Sequence, residues 1–304
     1  MTRRLLEDMS VVAASVRYRD LAYLVLSDDG IDPGIGHSHI FSWDLQDDPD
    51  DPWGYAGATC WTTVDMAISR HPLQQMIAIS PHGEARLFGS HDERDERIVA
   101  ADGDPLARGH LRAVRTIGEH TFVAGMGRQV YRRDAVDRWV CLDRTIRPAV
   151  GETKGFEGID GLHEEDVYAV GWDGEIWHWD GAAWRQQPGP TTHVLTGVRC
   201  GSDGQVHAWG RRGLIVTGRG ADWRLLPQDP LVGDIRDMAW HDGDLYVATG
   251  SALYTLVDGM LQPVGFGDDV PTGFGRLSVS DGMLWSIGPK DIMAHEDGRW
   301  RRIA

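Results

Sequence analysis

The segment VYAVGWDGEIWHWDGAAW, residues 167–184, returns in degenerate form as VHAWGRRGLIVTGRGADW, residues 206–223, and twice more downstream. Tyr168, His207, Tyr246 and Trp285 hold equivalent places, each 39 residues after the last. A period near 40 residues with short strand-like runs, Asp-Gly turns and a late Trp is the signature of β-propeller blades. One blade cannot bury its own faces and must stack on copies of itself. The chain therefore reads as all-β, a single seven-bladed β-propeller of four-stranded antiparallel blades. These occupy approximately 8–60, 61–105, 106–150, 151–190, 191–230, 231–270 and 271–304, nearly all of the 304 residues.

Blade 4 is the clearest unit, with strands expected at 156–162, 166–171, 174–179 and 183–187. Its turns fall at Glu164/Glu165, Trp172/Asp173 and Asp180/Gly181, since Asp-Gly between alternating apolar runs is a strong hairpin signal. Trp139, Trp184, Trp223 and Trp300 mark the outer strands, with Leu261 in that place in blade 6. Blade 2 is fainter, with strands expected at 66–72, 75–83, 84–90 and 96–101. Blade 1 shows strands at 11–16, 21–27 and 39–45, separated and followed by insertions at 28–38 and 46–55. Insertions in repeats map to loops, and loops on a rigid scaffold carry function more often than strands do. The terminal RWRRIA reads as the fourth strand of blade 7, the alternative being an extra strand added to blade 7 by the first ten residues.

With 41% apolar residues, 13 Trp and 38 Gly, the composition is that of an ordered globule. A net charge of −16 disfavours a phosphate-binding surface, so no nucleic acid is expected as partner. Cys60, Cys141 and Cys200 are an odd, scattered set without any CxxC spacing, so neither a zinc knuckle nor a disulfide framework is indicated and buried thiols are expected. An Arg pair near the N-terminus is followed by Glu7 and Asp8, and no run approaches 18 apolar residues. The expectation is a cytoplasmic chain with no membrane partner.

DVYAVGWDGEIWHWDGAAW resembles a bacterial propeller repeat, VWAVG, a turn, G-x-I-x-HWDG and a Trp, found in proteins related to the BNR and WD40 groups. The likeness rests on Val167, Tyr168, Ala169, Val170, Gly171, Gly174, Ile176, His178, Trp179, Asp180, Gly181 and Trp184. Blade 5 keeps Val206, Ala208, Gly210, Gly213, Ile215 and Trp223 but lacks HWDG. The resemblance covers about residues 110–304 and implies a propeller. Members of such families range from sialidase-like and lyase-like enzymes to adaptor platforms and bacterial toxin-immunity proteins. The S-x-D-x-G-x-x-W box of BNR sialidases is absent.

No nucleophile elbow, Walker loop, zincin helix or dinucleotide fingerprint is present, so no cofactor is indicated and an enzyme is the less favoured class. The first functional expectation is a non-catalytic binding protein, an immunity or inhibitor protein that neutralises a basic toxin or effector domain. Its contact residues would be Asp47, Asp48, Asp50 and Asp51 with Trp53 and Tyr55, where carboxylates meet Lys or Arg and Trp53 is the anchor. Trp172 and Asp173 are expected on the same partner-binding face. The alternative is a metal-dependent lyase or hydrolase at the channel mouth, with His37, His39 and His82 as ligands. His178 and Asp180 are expected to hydrogen-bond their own turn. Asp65, Arg115, Asp160, Arg199, Asp237 and Arg276 on inner strands are expected to satisfy one another.

Overall fold

A computed structural model describes residues 5–99, 105–227 and 232–304. It contains seven four-stranded antiparallel sheets, each built from consecutive strands, and the fold is a seven-bladed β-propeller. The backbone contacts divide into two units. One holds the chain up to Thr63 with Ile235–Ala304, that is blades 1, 6 and 7; the other, Val64–Asp234, holds blades 2 to 5. No helix among the described residues is long and apolar enough to cross a membrane.

In the Val64–Asp234 unit, blade 4 comprises Phe156–His163, Asp166–Gly171, Ile176–Trp179 and Trp184–Gln187. The sequence places these strands to within two residues. The second strand is buried at all six positions, and Trp184 is 6% exposed. Trp184 packs in one cluster with Phe156, Phe122 and Val130, the last two from blade 3. Inner strands approach so closely that a Cβ on Gly158 would stand 2.7 Å from the Gly197 Cα, a contact that only glycine permits. Inner-strand aspartates also tie blades together. Asp65 accepts the Val114 N–H at 2.9 Å, and Asp160 accepts that of Cys200 at 2.9 Å. Arg115 and Arg199 lie 3.6 Å and 3.8 Å from these same carboxylates, as the mixed signs imply.

Blade 2 departs from expectation in its outer strand, which is Asp92–Arg97 and not 96–101; residues 100 and 101 lie outside the described ones. Ser90 and His91 both adopt positive φ and make a two-residue turn, so the strand starts at once. The strand is charged, not apolar, because ion pairs of Arg86 with Glu93 and Asp95 hold its outward face. Its inward Glu96 receives a two-pronged hydrogen bond from Arg133 of blade 3, which is 1% exposed, and a third from the Trp139 indole at 3.2 Å.

In the other unit, blade 1 runs Met9–Tyr18, Leu21–Asp28, Ser38–Asp44 and Trp53–Thr59. Blade 7 takes all four strands from Arg276–Ser280, Met283–Ile287, Ile292–Glu296 and Arg299–Arg302. The described N-terminal residues add no strand to it. Blades 1 and 7 meet instead through Trp43 and Trp285, edge to face at 5.2 Å, in a cluster with Leu24, Leu26 and Ile292. Asp237 of blade 6 accepts the Leu277 N–H of blade 7 at 3.1 Å, repeating the inner-strand device. The cysteines are free thiols: Cys141 is buried and Cys200 half-buried, but Cys60 is exposed, contrary to expectation, because it follows the outer strand of blade 1.

Candidate partner-binding surface

The acidic stretch is the loop from the third to the fourth strand of blade 1. It leaves the sheet beside the first hairpin, where the Leu45 N–H donates to the Asp20 carbonyl at 2.9 Å and the Gln46 amide reaches the Asp20 carboxylate. Two aspartates shape it from within. Asp44 accepts the Gln46 N–H at 2.9 Å, and Asp48 accepts those of Asp50 and Asp51 at 2.9 and 3.3 Å. Such Asx turns, aided by Pro49 and Pro52, hold a loop without help from the core. Asp47 and Asp50 are then left exposed, and among the described residues no ion pair holds Asp47, Asp48, Asp50 or Asp51. One carboxylate oxygen of Asp51 is buried without a hydrogen bond.

The two aromatic residues divide their roles differently from the expectation. Trp53 begins the fourth strand opposite Trp43 and packs half-buried on the core shared with blade 7, so it is a scaffold residue first. Tyr55 is 61% exposed and leans on Phe41 at 5.3 Å, which makes it the protruding aromatic of this region.

The same end of blades 6 and 7 is also acidic. Asp242, Asp258, Asp281 and Asp297 each stand exposed with φ near +50° ahead of a glycine, in the two-residue hairpin turns. Asp tolerates this left-handed region better than most residues and presents its carboxylate to solvent there. The nearby Arg19 is engaged by Glu296 and Asp297 and donates its backbone N–H to Asp281 at 3.1 Å.

Trp172 and Asp173, in the Val64–Asp234 unit, form the turn between the second and third strands of blade 4. The Trp172 indole donates to Glu157 at 2.7 Å; Asp173, exposed at φ +58°, lies 3.9 Å from Lys154. Lys154 and Arg128 converge on Glu175. Burial alone would raise that carboxyl, but Arg128, Trp177 and Lys154 pull it below the usual range. This turn is tied into its own unit's network. In the same blade, His178 meets Asp166 at 2.8 Å and stacks on Tyr168, while Asp180 accepts the Ala182 and Ala183 N–H groups. Those backbone bonds hold the Asp180 carboxyl below its ordinary value, so Asp180 does cap its turn, whereas His178 pairs across the sheet.

Of the histidines His37, His39 and His82, the first is already engaged at both ring nitrogens. The Asp28 N–H can only donate, so His37 Nε2 accepts it at 3.0 Å, and Nδ1 carries the proton toward the Ile35 carbonyl at 2.9 Å. Neither nitrogen is left for a metal. His82 packs edge to face on His110 at 5.1 Å. Among the described residues, three metal-ligating side chains do converge elsewhere, at His241, Asp242 and His295. Their partnership crosses two blades, and no spacing in the chain announces it.

No family model matches the chain. Among solved structures, it is similar to the WD40 β-propeller domain of Doa1, with a TM-score of 0.67 at 12% identity over 96% of this chain and 95% of that one. It is likewise similar to YCF48 bound to D1 peptide, with a TM-score of 0.67 at 14% identity over 94% and 91%. At these identities the likeness shows the fold alone. Of a different order is the match to the immune protein Tsi7 of Pseudomonas aeruginosa, 37% identical over 310 aligned positions that span the whole of both chains. With this identity over the whole length of both, the chain belongs to the family of the immune protein Tsi7.

Proposed function

We propose that this protein is an immunity protein that neutralises a basic toxin or effector domain in the cytoplasm by binding it, with the acidic end of blades 1, 6 and 7 as its contact surface. The observation that carries the surface assignment is the set of exposed, ion-pair-free carboxylates at Asp47 and Asp50, held forward by the Asx turns of Asp44 and Asp48. Carboxylates presented in this way raise the rate of encounter with Lys and Arg side chains. Tyr55 offers an aromatic body with a polar tip beside them, the residue type that anchors interfaces. The family membership supports the immune role, and the acidic balance of the chain supports a basic partner.

The test is rescue of growth. Cells expressing a toxin encoded at the same genetic locus should survive when this protein is co-expressed, and should die when Asp47, Asp48, Asp50 and Asp51 are all changed to Lys. Rescue unaffected by that charge reversal would move the contact surface elsewhere, and no rescue by the native chain would refute the neutralising role.

A further inference from the structure

We propose that His241, Asp242 and His295 form a zinc site that clips blade 6 to blade 7. His241 ends the first strand of blade 6, and its side chain is 2% exposed. His295 lies on the third strand of blade 7, paired with Trp300. The two rings meet nearly perpendicular, with centroids 5.2 Å apart. His241 Nε2 and His295 Nδ1 are both buried and make no hydrogen bond. A buried ring nitrogen that makes no hydrogen bond costs free energy, and two of them in one cluster need a common explanation.

Asp242 supplies the third donor. Its positive φ of 51°, ahead of Gly243, turns its carboxylate back so that Oδ2 lies 3.2 Å from His241 Nε2. All three donor atoms lie within 4.8 Å of one another. Ligands held about 2.0–2.1 Å from one zinc ion stand about 3.4 Å apart in a tetrahedron, so closing the donors by up to about 1.4 Å completes the set. Two imidazoles and one carboxylate suit zinc better than calcium or magnesium, which prefer oxygen shells. Tyr246 and Trp300 pack around His295, giving an apolar wall that limits solvent access to the site. Asp242 is exposed, which leaves the fourth position to water at the acidic end of the unit. The proposal is independent of the toxin reading.

The experiment is zinc chloride titration of EDTA-treated protein against a chromophoric chelator, with thermal melts alongside. The native chain is expected to bind one equivalent and to melt at a higher temperature with zinc than without. Asp242→Asn, a change at an exposed turn that leaves the fold intact, and His295→Gln should each weaken binding at least tenfold and abolish the thermal shift. Cys60→Ser, which removes the exposed thiol, should bind as the native chain does. Equal affinity in the native, Asp242→Asn and His295→Gln proteins would overturn the proposal, as would loss of binding in Cys60→Ser or a preference for calcium over zinc.

Discussion

Blade 4 and the acidic loop of blade 1 use the same residue types to opposite ends. In blade 4 the charged groups of the repeat motif find partners in their own unit: Asp166 takes both His178 and Arg219 of blade 5, and Asp180 takes two backbone N–H groups. Its Trp184 is sealed beneath them. In the blade 1 loop, Asp44 and Asp48 play the capping part while Asp47 and Asp50 reach solvent and, among the described residues, form no ion pair. An Asp-rich, aromatic-rich segment is therefore uninformative by composition. What separates framework from contact surface is whether the chain itself satisfies the charges, since internal pairing leaves nothing for a partner to meet.

The sharpest way to break this contrast is to truncate one aromatic from each region. Trp184→Ala should destabilise the protein by about 3–5 kcal/mol, the usual loss for a buried large aromatic. Tyr55→Ala, on an exposed ring, should leave stability within about 0.5 kcal/mol and instead weaken partner affinity by about 2 kcal/mol if it is an anchor. Urea denaturation and calorimetric binding measure the two quantities separately. Similar unfolding midpoints for both variants would collapse the distinction. Next in size, Asp166→Ala strips His178 and Arg219 of a shared, buried acceptor and should cost about 1–3 kcal/mol. Asp50→Ala should change stability by no more than about 0.5 kcal/mol, because nothing in the chain depends on it beyond its backbone.

How far each region could be read from sequence follows from the same contrast. Blade 4 was legible because its Asp-Gly turns, alternating apolar positions and Trp184 all report local geometry, and the 39-residue interval multiplies that signal. The outer strand of blade 2 was misplaced because ion pairs of Arg86, not apolar residues, hold it, and the apolar Ile98 and Val99 drew the boundary too late. Trp53 looked like a loop anchor because it directly follows the Asp/Pro-rich turn at 47–52, and no run of alternating apolar residues marks where the fourth strand begins. Only the packing against the Trp43 cluster reveals its place. His241 and His295 could not be paired from sequence, since the contact depends on blade stacking. Aligning the repeats does put His295 opposite the outer-strand Trp, where Trp179 and Gly218 stand in blades 4 and 5.

A smaller effect probes charge alone. Changing Asp47, Asp48, Asp50 and Asp51 to Asn removes four negative charges but keeps the Oδ1 acceptors that fold the loop. Association with a basic partner should slow by about tenfold at low salt and lose much of its salt dependence, with dissociation little altered. Surface plasmon resonance at two ionic strengths reads both rates. Unchanged association would show that these carboxylates are merely solvated. The matching change in blade 4, Asp180→Asn, should leave association untouched.

The smallest predicted effect compares equivalent positions within the repeat. Tyr168 and His207 occupy the same buried place in blades 4 and 5, 1% and 6% exposed. Burial pushes the Tyr168 hydroxyl up to about 12, so it stays neutral across the physiological range. Burial pushes His207 below its ordinary 6.5, an effect that Asp203 partly offsets and Arg224 reinforces. Between its folded value and 6.5, the unfolded chain binds more protons at this position than the folded one. The stabilising contribution is therefore complete above pH 6.5 and is lost as the pH falls below it. His207→Gln should flatten the decline in stability below pH 6.5, whereas Tyr168→Phe should leave that decline unchanged. Urea midpoints at three pH values decide the matter, and an equal slope in the native and His207→Gln proteins would assign the acid sensitivity to other groups.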